Sequence, residues 1–341
     1  MQIASRRVTA VVGIAVFGGA LAACGGGSEK APPPVAAAGT STPIGTPTPT
    51  APTTHPFTGG TTGLTNPVLA VKIDNTRPAH PQQGLRSADI VYVEQVEGGE
   101  TRIMAIFSSK IPAKLGPVRS ARVSDLHILR QYGKPAFAFS GVQSKMKPYI
   151  RRAPLYDISQ DNGGSSYFRV GGRSAPYNLF TSPKALLAQA PKATGPRDIG
   201  FRFGDAPAGG RPLKSFTAKW PAERMTFTWS AKEKRWLSAH NGTPNTAAEG
   251  GLLGGQTVVI QYAKTERSQF HDFLGSYTPL IHTTGTGKAL VLRDGKAYDT
   301  TWSRPSEDKG TTFTTADGKP MTFAAGQVWM VLVNDGKPHI P

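Results

Sequence analysis

Two carboxylates lie on either side of a glycine pair in the segment VEGGETR, and this spacing could support acid–base chemistry. Glu97 and Glu100 would meet at a turn, and Asp74 is a further carboxyl candidate. Glycoside hydrolysis uses two carboxyl groups about 5–10 Å apart. Charged residues beside glycine are also common as solvated turn residues, which here could pair with Arg102. Asp74, Glu97 and Glu100 are therefore catalytic candidates, and a purely structural role for the turn stays open.

Two arginines and a serine follow a Gly-Pro turn in the segment GPVRSAR. Apolar spacing predicts a helix over 120–132, so Arg119 and Arg122 would flank its first turn with Ser120 as N-cap. Backbone N–H groups favour an anion at this end, and two guanidinium groups can clasp a phosphate or carboxylate. Cations oppose the helix dipole, so an acceptor is expected. It is either a ligand or a carboxylate of the same domain: Glu94, Glu97 or Glu100.

The segment FRVGGRSAPYNLF carries Arg173 and Asn178 after a glycine pair. It predicts either further anion contacts or a loop whose aromatic side chains fill the core. The ligand-binding candidates are accordingly Arg102, Arg119, Ser120, Arg122, Arg173 and Asn178.

The common catalytic and metal-binding motifs are missing from the sequence. It contains no HExxH, GxSxG, GxxxxGK[ST] or strand-linked GxGxxG. Ser144–Lys147 and Ser306–Lys309 match S-x-x-K, but no KTG follows either of them, which argues against serine acyl transfer. A single cysteine excludes disulfides, Cys-rich zinc sites and iron–sulfur clusters. We therefore expect no metal and no cofactor.

The elements that must position these candidates alternate between strands and helices. Runs of β-branched and aromatic residues predict strands at 68–73, 88–96 and 102–107. Helices are predicted at 120–132, 143–152 and 183–190. This mixture predicts an α+β or α/β first domain. Beyond a Pro- and Gly-rich crossing at 191–215, short alternating runs and turns such as Asp294-Gly295 predict a mostly antiparallel β domain.

The N-terminus has the three parts of a bacterial lipoprotein signal peptide. Arg6 and Arg7 precede an uncharged apolar run, and small residues precede Cys24. About 13 apolar residues are too few for a membrane-spanning helix, which needs about 20. Residues 1–23 are thus predicted to be a signal peptide, and the Cys24 thiol to carry a diacylglycerol anchor. An ordinary secretory peptide is the alternative.

Residues 24–66 are predicted to form a disordered tether, because they are rich in Pro, Thr and Gly and their only charges are Glu29 and Lys30. The folded part is predicted as two domains, an α/β or α+β domain over 67–200 and a β-rich domain over 201–341. We expect the protein at the cell membrane, lipid-anchored on the outer, extracytoplasmic face.

The charge of the chain is strongly positive, at +17 with 39 Lys plus Arg against 22 Asp plus Glu. Between Arg102 and Arg152 there are eleven Lys or Arg and one acid, Asp125. An exported protein meets anionic wall polymers and lipid head groups more often than nucleic acid, so no nucleic-acid partner is expected. A merely solvated basic surface is the alternative.

Several motifs in order resemble the YerB-type family of bacterial lipoproteins. They are VKIDNTRPAHPQQGLRSADIVYVEQVEGGETRIMAIF, GPVRSAR and YFRVGGRSAPYNLFTS, followed by GKALVLRDGKAYDTTWSR and GQVWMVLV. The resemblance covers residues 66–341 and implies a two-domain, lipid-anchored, extracytoplasmic protein with no implied activity. Where the family tends to have Ala-Pro-His-Asn, this chain has Tyr177, which argues against a catalytic histidine there.

Three functional hypotheses follow. The leading one is a surface lipoprotein that binds an anionic cell-envelope component through a basic cleft. The second is a cell-wall hydrolase that uses Glu97 and Glu100, or Asp74, as acid and base. The third is a structural partner in an envelope complex, with its interface on the β domain.

Overall fold

One mixed sheet of eleven strands runs through both halves of the chain in the computed structural model, which describes residues 53–272 and 274–335. The N-terminal half contributes β1 (Leu69–Asp74), β2 (Ile90–Gln95), β3 (Thr101–Phe107), β4 (Ala136–Ala138), β5 (Tyr156–Asp157), β6 (Tyr167–Arg169) and β7 (Leu179–Thr181). The C-terminal half contains β8 (Arg202–Phe203), β9 (Arg211–Pro212), β10 (Ser215–Lys219), β11 (Arg224–Ser230), β12 (Arg235–His240), β13 (Thr243–Pro244), β14 (Gly254–Gly255), β15 (Thr257–Ala263), β16 (Thr265–His271), β17 (Tyr277–Ile281), β18 (Gly285–Arg293), β19 (Lys296–Arg304), β20 (Thr312–Thr315), β21 (Thr322–Phe323) and β22 (Val328–Asn334).

The helices are short and belong to the N-terminal half. The α-helices are α1 (Val123–Leu129), α2 (Lys147–Arg152), α3 (Gln160–Gly163) and α4 (Pro183–Gln189). Single 3₁₀ turns occur at Arg77–Ala79, Leu85–Ser87, Glu97–Gly99, Arg130–Tyr132, Ser144–Met146 and Gly164–Ser166. No helix in the two described ranges is long and apolar enough to cross a membrane.

The last strand, β22, joins the two halves. Across the large sheet the order is β20-β19-β18-β15-β22-β2-β3-β1-β4-β5, and β9 pairs with β19. β22 is parallel to both β15 and β2. Its sequence VWMVLVN and that of β1, LAVKID, are almost wholly buried, as expected for central strands covered on both faces. The sheet therefore spans the predicted division at residue 200.

A separate hydrophobic core lies on each face of the large sheet. On one face a smaller antiparallel sheet, β10 to β14, packs Phe227 and Trp236 toward Trp329. Strand β12 alternates half-buried and buried residues, as a strand with one face to the core does. The other face is covered by α1 and the loops around it, which bury Tyr132 and Phe137.

The predicted fold class is confirmed: the N-terminal half combines a mixed sheet with helices, and the strands of the C-terminal half pair mostly antiparallel. The folded part begins earlier than expected, because His55 and Phe57 are fully buried and the Phe57 ring packs edge-on against Tyr132. Residues 53–66 therefore belong to the folded body. The predicted signal peptide, Cys24 and the rest of the predicted tether lie outside the described residues.

The helix predicted over 120–132 begins later, at Val123. The residues before it are extended, because the Arg119 N–H donates to Lys72 O and the Ala121 N–H donates to Gly141 O. Arg122, not Ser120, is the N-cap residue, and its N–H donates to the Asp125 carboxylate at 2.6 Å. The Arg122 N–H at the start of the helix therefore already has an internal acceptor, the carboxylate of Asp125.

Candidate functional site

Acidic and basic side chains lie side by side on three neighbouring strands at one end of the large sheet. The register of β3 places Arg102 opposite Asp74 of β1 and opposite Glu94 of β2. Because side chains two residues apart share a face of a strand, Lys72 points to the same side as Asp74. The Lys72 ammonium is fully buried and contacts Glu94 Oε1 at 2.9 Å and Asp125 Oδ1 at 2.6 Å.

Two more arginines reach this cluster from the GPVRSAR segment. Arg119 Nε donates to Asp74 Oδ2 at 2.5 Å. Arg122 donates from Nε and Nη2 to Glu97 Oε2 at 2.8 and 2.6 Å. Its Nη1 donates to two backbone carbonyls, those of Ser120 and Ala121. The acceptor expected for Arg122 is thus Glu97, the internal alternative, while Arg119 pairs with Asp74, which lay outside the expected acceptors.

Arg102 is the least satisfied group of the cluster. Its side chain is 7% exposed, and its Nε and Nη1 have no hydrogen-bond partner among the described residues. The nearest carboxylate oxygen is Glu97 Oε2, 4.0 Å from Nη1. Burial, together with the positive charges of Arg122 and Arg119, lowers the pKa of Arg102 to about 10, so the group stays cationic at neutral pH. A buried cation with unused donors is costly unless an anion meets it.

Arg119 differs from Arg122 in being partly open to solvent. Its side chain is 23% exposed, and its guanidinium carbon lies 5.9 Å from the centre of the Tyr177 ring. Only its Nε is engaged by a carboxylate in the part of the chain that the structure describes. Arg102 and Arg119 are therefore the arginines of the cluster with the most donors left for an oxyanion.

The remaining ligand-binding candidates already have structural partners. Arg173 donates to the carbonyls of Ala79 and Pro81 at 2.8 and 2.6 Å, and so holds that loop. Asn178 Oδ1 accepts from Arg169 Nη1 at 2.6 Å. Ser120 is half-buried beside the cluster and contributes its backbone carbonyl to Arg122. Their roles as ligand-binding residues stay predictions.

The three carboxyl candidates occupy different environments. Asp74 is buried and accepts from the N–H and hydroxyl of Thr76 as well as from Arg119. Burial alone would raise the pKa of Glu97, but the charge and hydrogen bonds of Arg122 outweigh it and lower the pKa. Burial, with the nearby Glu223 and Asp74 carboxylates, instead raises the pKa of Glu100. Glu97 is thus held as an ion-pair partner of Arg122, whereas the surroundings of Glu100 favour its protonated form relative to an ordinary glutamic acid.

A group of buried polar residues lies next to the cluster, and the sequence spacing did not reveal it. Glu223 Oε2 accepts from the N–H and the hydroxyl of Thr101, at 2.7 and 2.5 Å. Its Oε1 lies 3.2 Å from His240 Nε2, and the His240 ring stacks on His80 with centroids 4.9 Å apart. Because Thr101 and Glu223 are 122 residues apart, no local motif could have paired them. Lys72, in contrast, was visible as a lone charge within an apolar strand.

A groove of about 1040 Å³ lies elsewhere, beside β18 and β19. Its lining combines Tyr262, Trp302, Lys264, Lys288 and Asp299 with several threonines. None of the predicted site residues lines it, so the groove and the arginine cluster are separate features.

Comparison with known proteins places these features in a family. Residues 54–197 match the N-terminal domain of the family described as "Protein of unknown function (DUF3048)", and residues 216–330 match its C-terminal domain. The chain is 26% identical over 278 residues to the Bacillus subtilis (strain 168) protein named "Putative lipoprotein YerB", covering 78% of this chain and 81% of that protein. The crystal structure of the YerB protein from Bacillus subtilis superposes with a TM-score of 0.69 at 24% identity, covering 83% of this chain and 97% of that chain.

Proposed function

The chain belongs to the DUF3048 family. We propose that it is lipid-anchored on the extracytoplasmic face of the cell membrane and binds an anionic cell-envelope component at Arg102 and Arg119. The similarity to a protein named as a lipoprotein supports the anchor, together with the signal-peptide pattern before Cys24. A basic charge of +17 suits a partner such as an anionic wall polymer or a lipid head group.

The observation that carries the binding proposal is the Arg102 guanidinium. It is buried, charged and without hydrogen-bond partners for Nε and Nη1 in the described ranges, and it lies beside two further arginines. Neighbouring guanidinium groups repel one another, and a phosphate or carboxylate held by Arg102 and Arg119 would relieve that repulsion with charge-assisted hydrogen bonds. Arg122 would act indirectly, by holding Glu97 away from the ligand oxygens.

Arg102→Met is the sharpest test of this proposal. Methionine removes the charge while filling much of the same volume, and Asp74 and Glu97 keep their own arginine partners. We expect the full chain carrying this change to bind purified anionic wall polymer at least about tenfold more weakly, because a desolvated charge contact is lost. Its stability should be unchanged or higher, since an unmatched buried cation is removed.

The matched control is Arg202→Met, which removes the same charge from an exposed arginine paired with Asp198. It should leave the affinity within about twofold, because exposed ion pairs contribute little. Equal affinity of folded Arg102→Met and wild type would reject the site. Equal weakening by both substitutions would instead indicate binding through net charge alone.

The hydrolase hypothesis is kept as an alternative on one observation, the raised pKa of Glu100. A raised pKa lets a carboxyl group hold its proton to a higher pH than an ordinary glutamic acid does, which favours a general-acid role. Glu97 is unsuited to that part because Arg122 stabilises its ionised form. Release of soluble fragments from cell wall by the wild-type chain, and not by Glu100→Gln, would favour this alternative over simple binding.

A further inference from the structure

The β16–β17 hairpin ends in a turn that holds an apolar side chain out into solvent. Leu274 is 76% exposed and Tyr277 is 52% exposed. Hydrogen bonds hold the backbone of the described residues here: Asp272 Oδ1 accepts from the N–H groups of Leu274 and Ser276 at 2.9 and 2.8 Å, and the Asp272 N–H donates to Ser276 O. The backbone N–H of Leu274 is therefore held by Asp272, while its side chain points into solvent.

A basic segment packs along this hairpin near its tip. Gln143 donates to the His271 carbonyl, and Gln269 donates to the Tyr149 hydroxyl at 2.8 Å. The Tyr149 ring, 39% exposed, meets Phe270 edge-on with centroids 5.4 Å apart. Residues 143–152 contain no acid and four exposed cations: Lys145, Lys147, Arg151 and Arg152.

Two of the exposed tyrosines are paired with arginines at their ring faces. Arg152 lies 5.2 Å from the centre of the Tyr149 ring, and Arg267 lies 5.1 Å from that of Tyr277. Tyrosine beside cationic side chains, with one leucine projecting beyond them, is the composition of a surface that rests among lipid head groups. Opposing acids are few, and Asp161 is already within 3.5 Å of Lys147.

We propose that Leu274, Tyr277 and residues 143–152 form a contact surface for an anionic lipid bilayer, with Leu274 entering the head-group boundary. This surface is separate from the arginine cluster of Arg102, and the inference rests on the proposed function only for the anchor at Cys24. Cys24 and the first described residue are 29 positions apart, a span of at most roughly 100 Å. Anchoring on one chain raises the effective concentration of the body at the same membrane, so a weak second contact suffices.

A tryptophan reporter at the tip tests the contact in the full chain. Four of the native tryptophans are buried and the fifth is half-buried, so they contribute little to quenching by lipid: Trp220, Trp229, Trp236, Trp302 and Trp329. With Leu274→Trp mixed with vesicles of one part phosphatidylglycerol to three parts phosphatidylcholine, we expect bromine on the acyl chains to quench about half of the added fluorescence. The reason is that an interfacial side chain lies about 5–10 Å inside the head-group boundary.

Lys319→Trp is the matched control, because Lys319 lies on a different turn and its side chain is 78% exposed, close to the value for Leu274. Its fluorescence should not respond to brominated lipid. A second variant, Arg151→Gln with Arg152→Gln, should lower the quenching of the Leu274→Trp reporter at least about twofold, since each basic residue adds to the attraction.

The outcomes separate this inference from the proposed function. If the chain floats with the vesicles but the tip reporter is not quenched, the bilayer contact is rejected while the anchor stands. If the chain does not float, both are rejected. Quenching that is equal in vesicles of phosphatidylcholine alone, or a tip that crosslinks to a protein in place of lipid, would also overturn the assignment to an anionic bilayer.

Discussion

Arg102 and Arg122 belong to the same cluster, but they have different roles because Arg122 uses most of its N–H donors in hydrogen bonds and Arg102 does not. Arg122 directs Nε and Nη2 to Glu97 and Nη1 to two carbonyls, so four of its five N–H donors have acceptors. Arg102 is flanked by Asp74 and Glu94 in the strand register, but each of those carboxylates is turned to another cation. Because those carboxylates are already paired, the unused N–H donors of Arg102 are left for a ligand oxygen.

The buried triad of Lys72, Glu94 and Asp125 predicts a pH dependence of stability. Burial and the neighbouring Asp125 carboxylate raise the pKa of Glu94 to about 8, against a usual value near 4.5. The folded state therefore holds a proton that the unfolded state has released. This contribution to stability is complete below about pH 4.5 and is lost as the pH rises through about 8.

Glu94→Gln should remove this dependence, because glutamine resembles the protonated carboxyl group. Between pH 5 and 8 the wild-type chain should lose stability relative to the variant, with a slope of at most about 1.4 kcal/mol per pH unit. Paired denaturant midpoints at each pH isolate the effect. The comparison needs the variant because burial lowers the pKa of His55 to about 4, which makes stability rise with pH between about 4 and 6.5. Parallel curves for the two chains would contradict the assignment.

Strand β3 is tied to the second sheet by Glu223, which lies in the turn between β10 and β11. The carboxylate accepts two hydrogen bonds from Thr101, at the first position of β3. Glu223→Ala should cost about 1–3 kcal/mol of unfolding free energy, because the Thr101 N–H would be left buried without an acceptor. Chemical denaturation of the purified chain measures it.

Glu266→Ala is the control for this prediction, since Glu266 forms only exposed pairs with Lys264 and His282. It should leave the denaturation midpoint essentially unchanged, because exposed ion pairs contribute little to stability. A double-mutant cycle with Thr101→Val should give a coupling of about 1 kcal/mol between the two positions. Additive effects would mean that Glu223 acts on the fold by another route.

Local sequence signals predicted the strands around the cluster well, because β1, β2 and β3 are apolar runs with clear ends. The need for an anion at GPVRSAR was also predictable from two adjacent arginines. The sequence did not predict which carboxylate pairs with which arginine. Asp74 is placed by the strand register of β1, and Glu97 by the 3₁₀ turn at Glu97–Gly99. Phe57 was missed because proline, threonine and glycine around it masked a core position.

The insertion of β22 between β15 and β2 was likewise beyond local signals. Its composition predicts a strand over 328–333 in the C-terminal domain, and the structure has a strand there. Partner choice, however, depends on pairing across more than 200 residues, from Ile90 to Val328. The Pro- and Gly-rich segment 191–215 marks a change in composition between the two halves of the chain. It does not mark the edge of a sheet, because strands from both halves pair in one sheet.

That shared sheet predicts that the N-terminal half does not fold alone. A fragment of residues 53–200 lacks β22, which pairs with β2 over four residues from Ile90 to Val93. It also lacks the second sheet, whose Phe216, Phe227 and Trp236 share one core with Val91, Val93 and Ile103. Exposed strand edges and uncovered apolar faces oppose independent stability. We expect no cooperative thermal transition for the fragment, measured by circular dichroism, and strong binding of a hydrophobic dye.

Mixing this fragment with residues 201–341 provides the control. If the two halves are complementary parts of one sheet, co-refolding should restore a cooperative transition, because β22 from one fragment can pair with β2 from the other. A fragment of 53–200 that melts cooperatively near the midpoint of the full chain would show that the half is an independent domain. In that case the contacts across β22 would contribute little to the stability of β2, although the register joins them residue by residue.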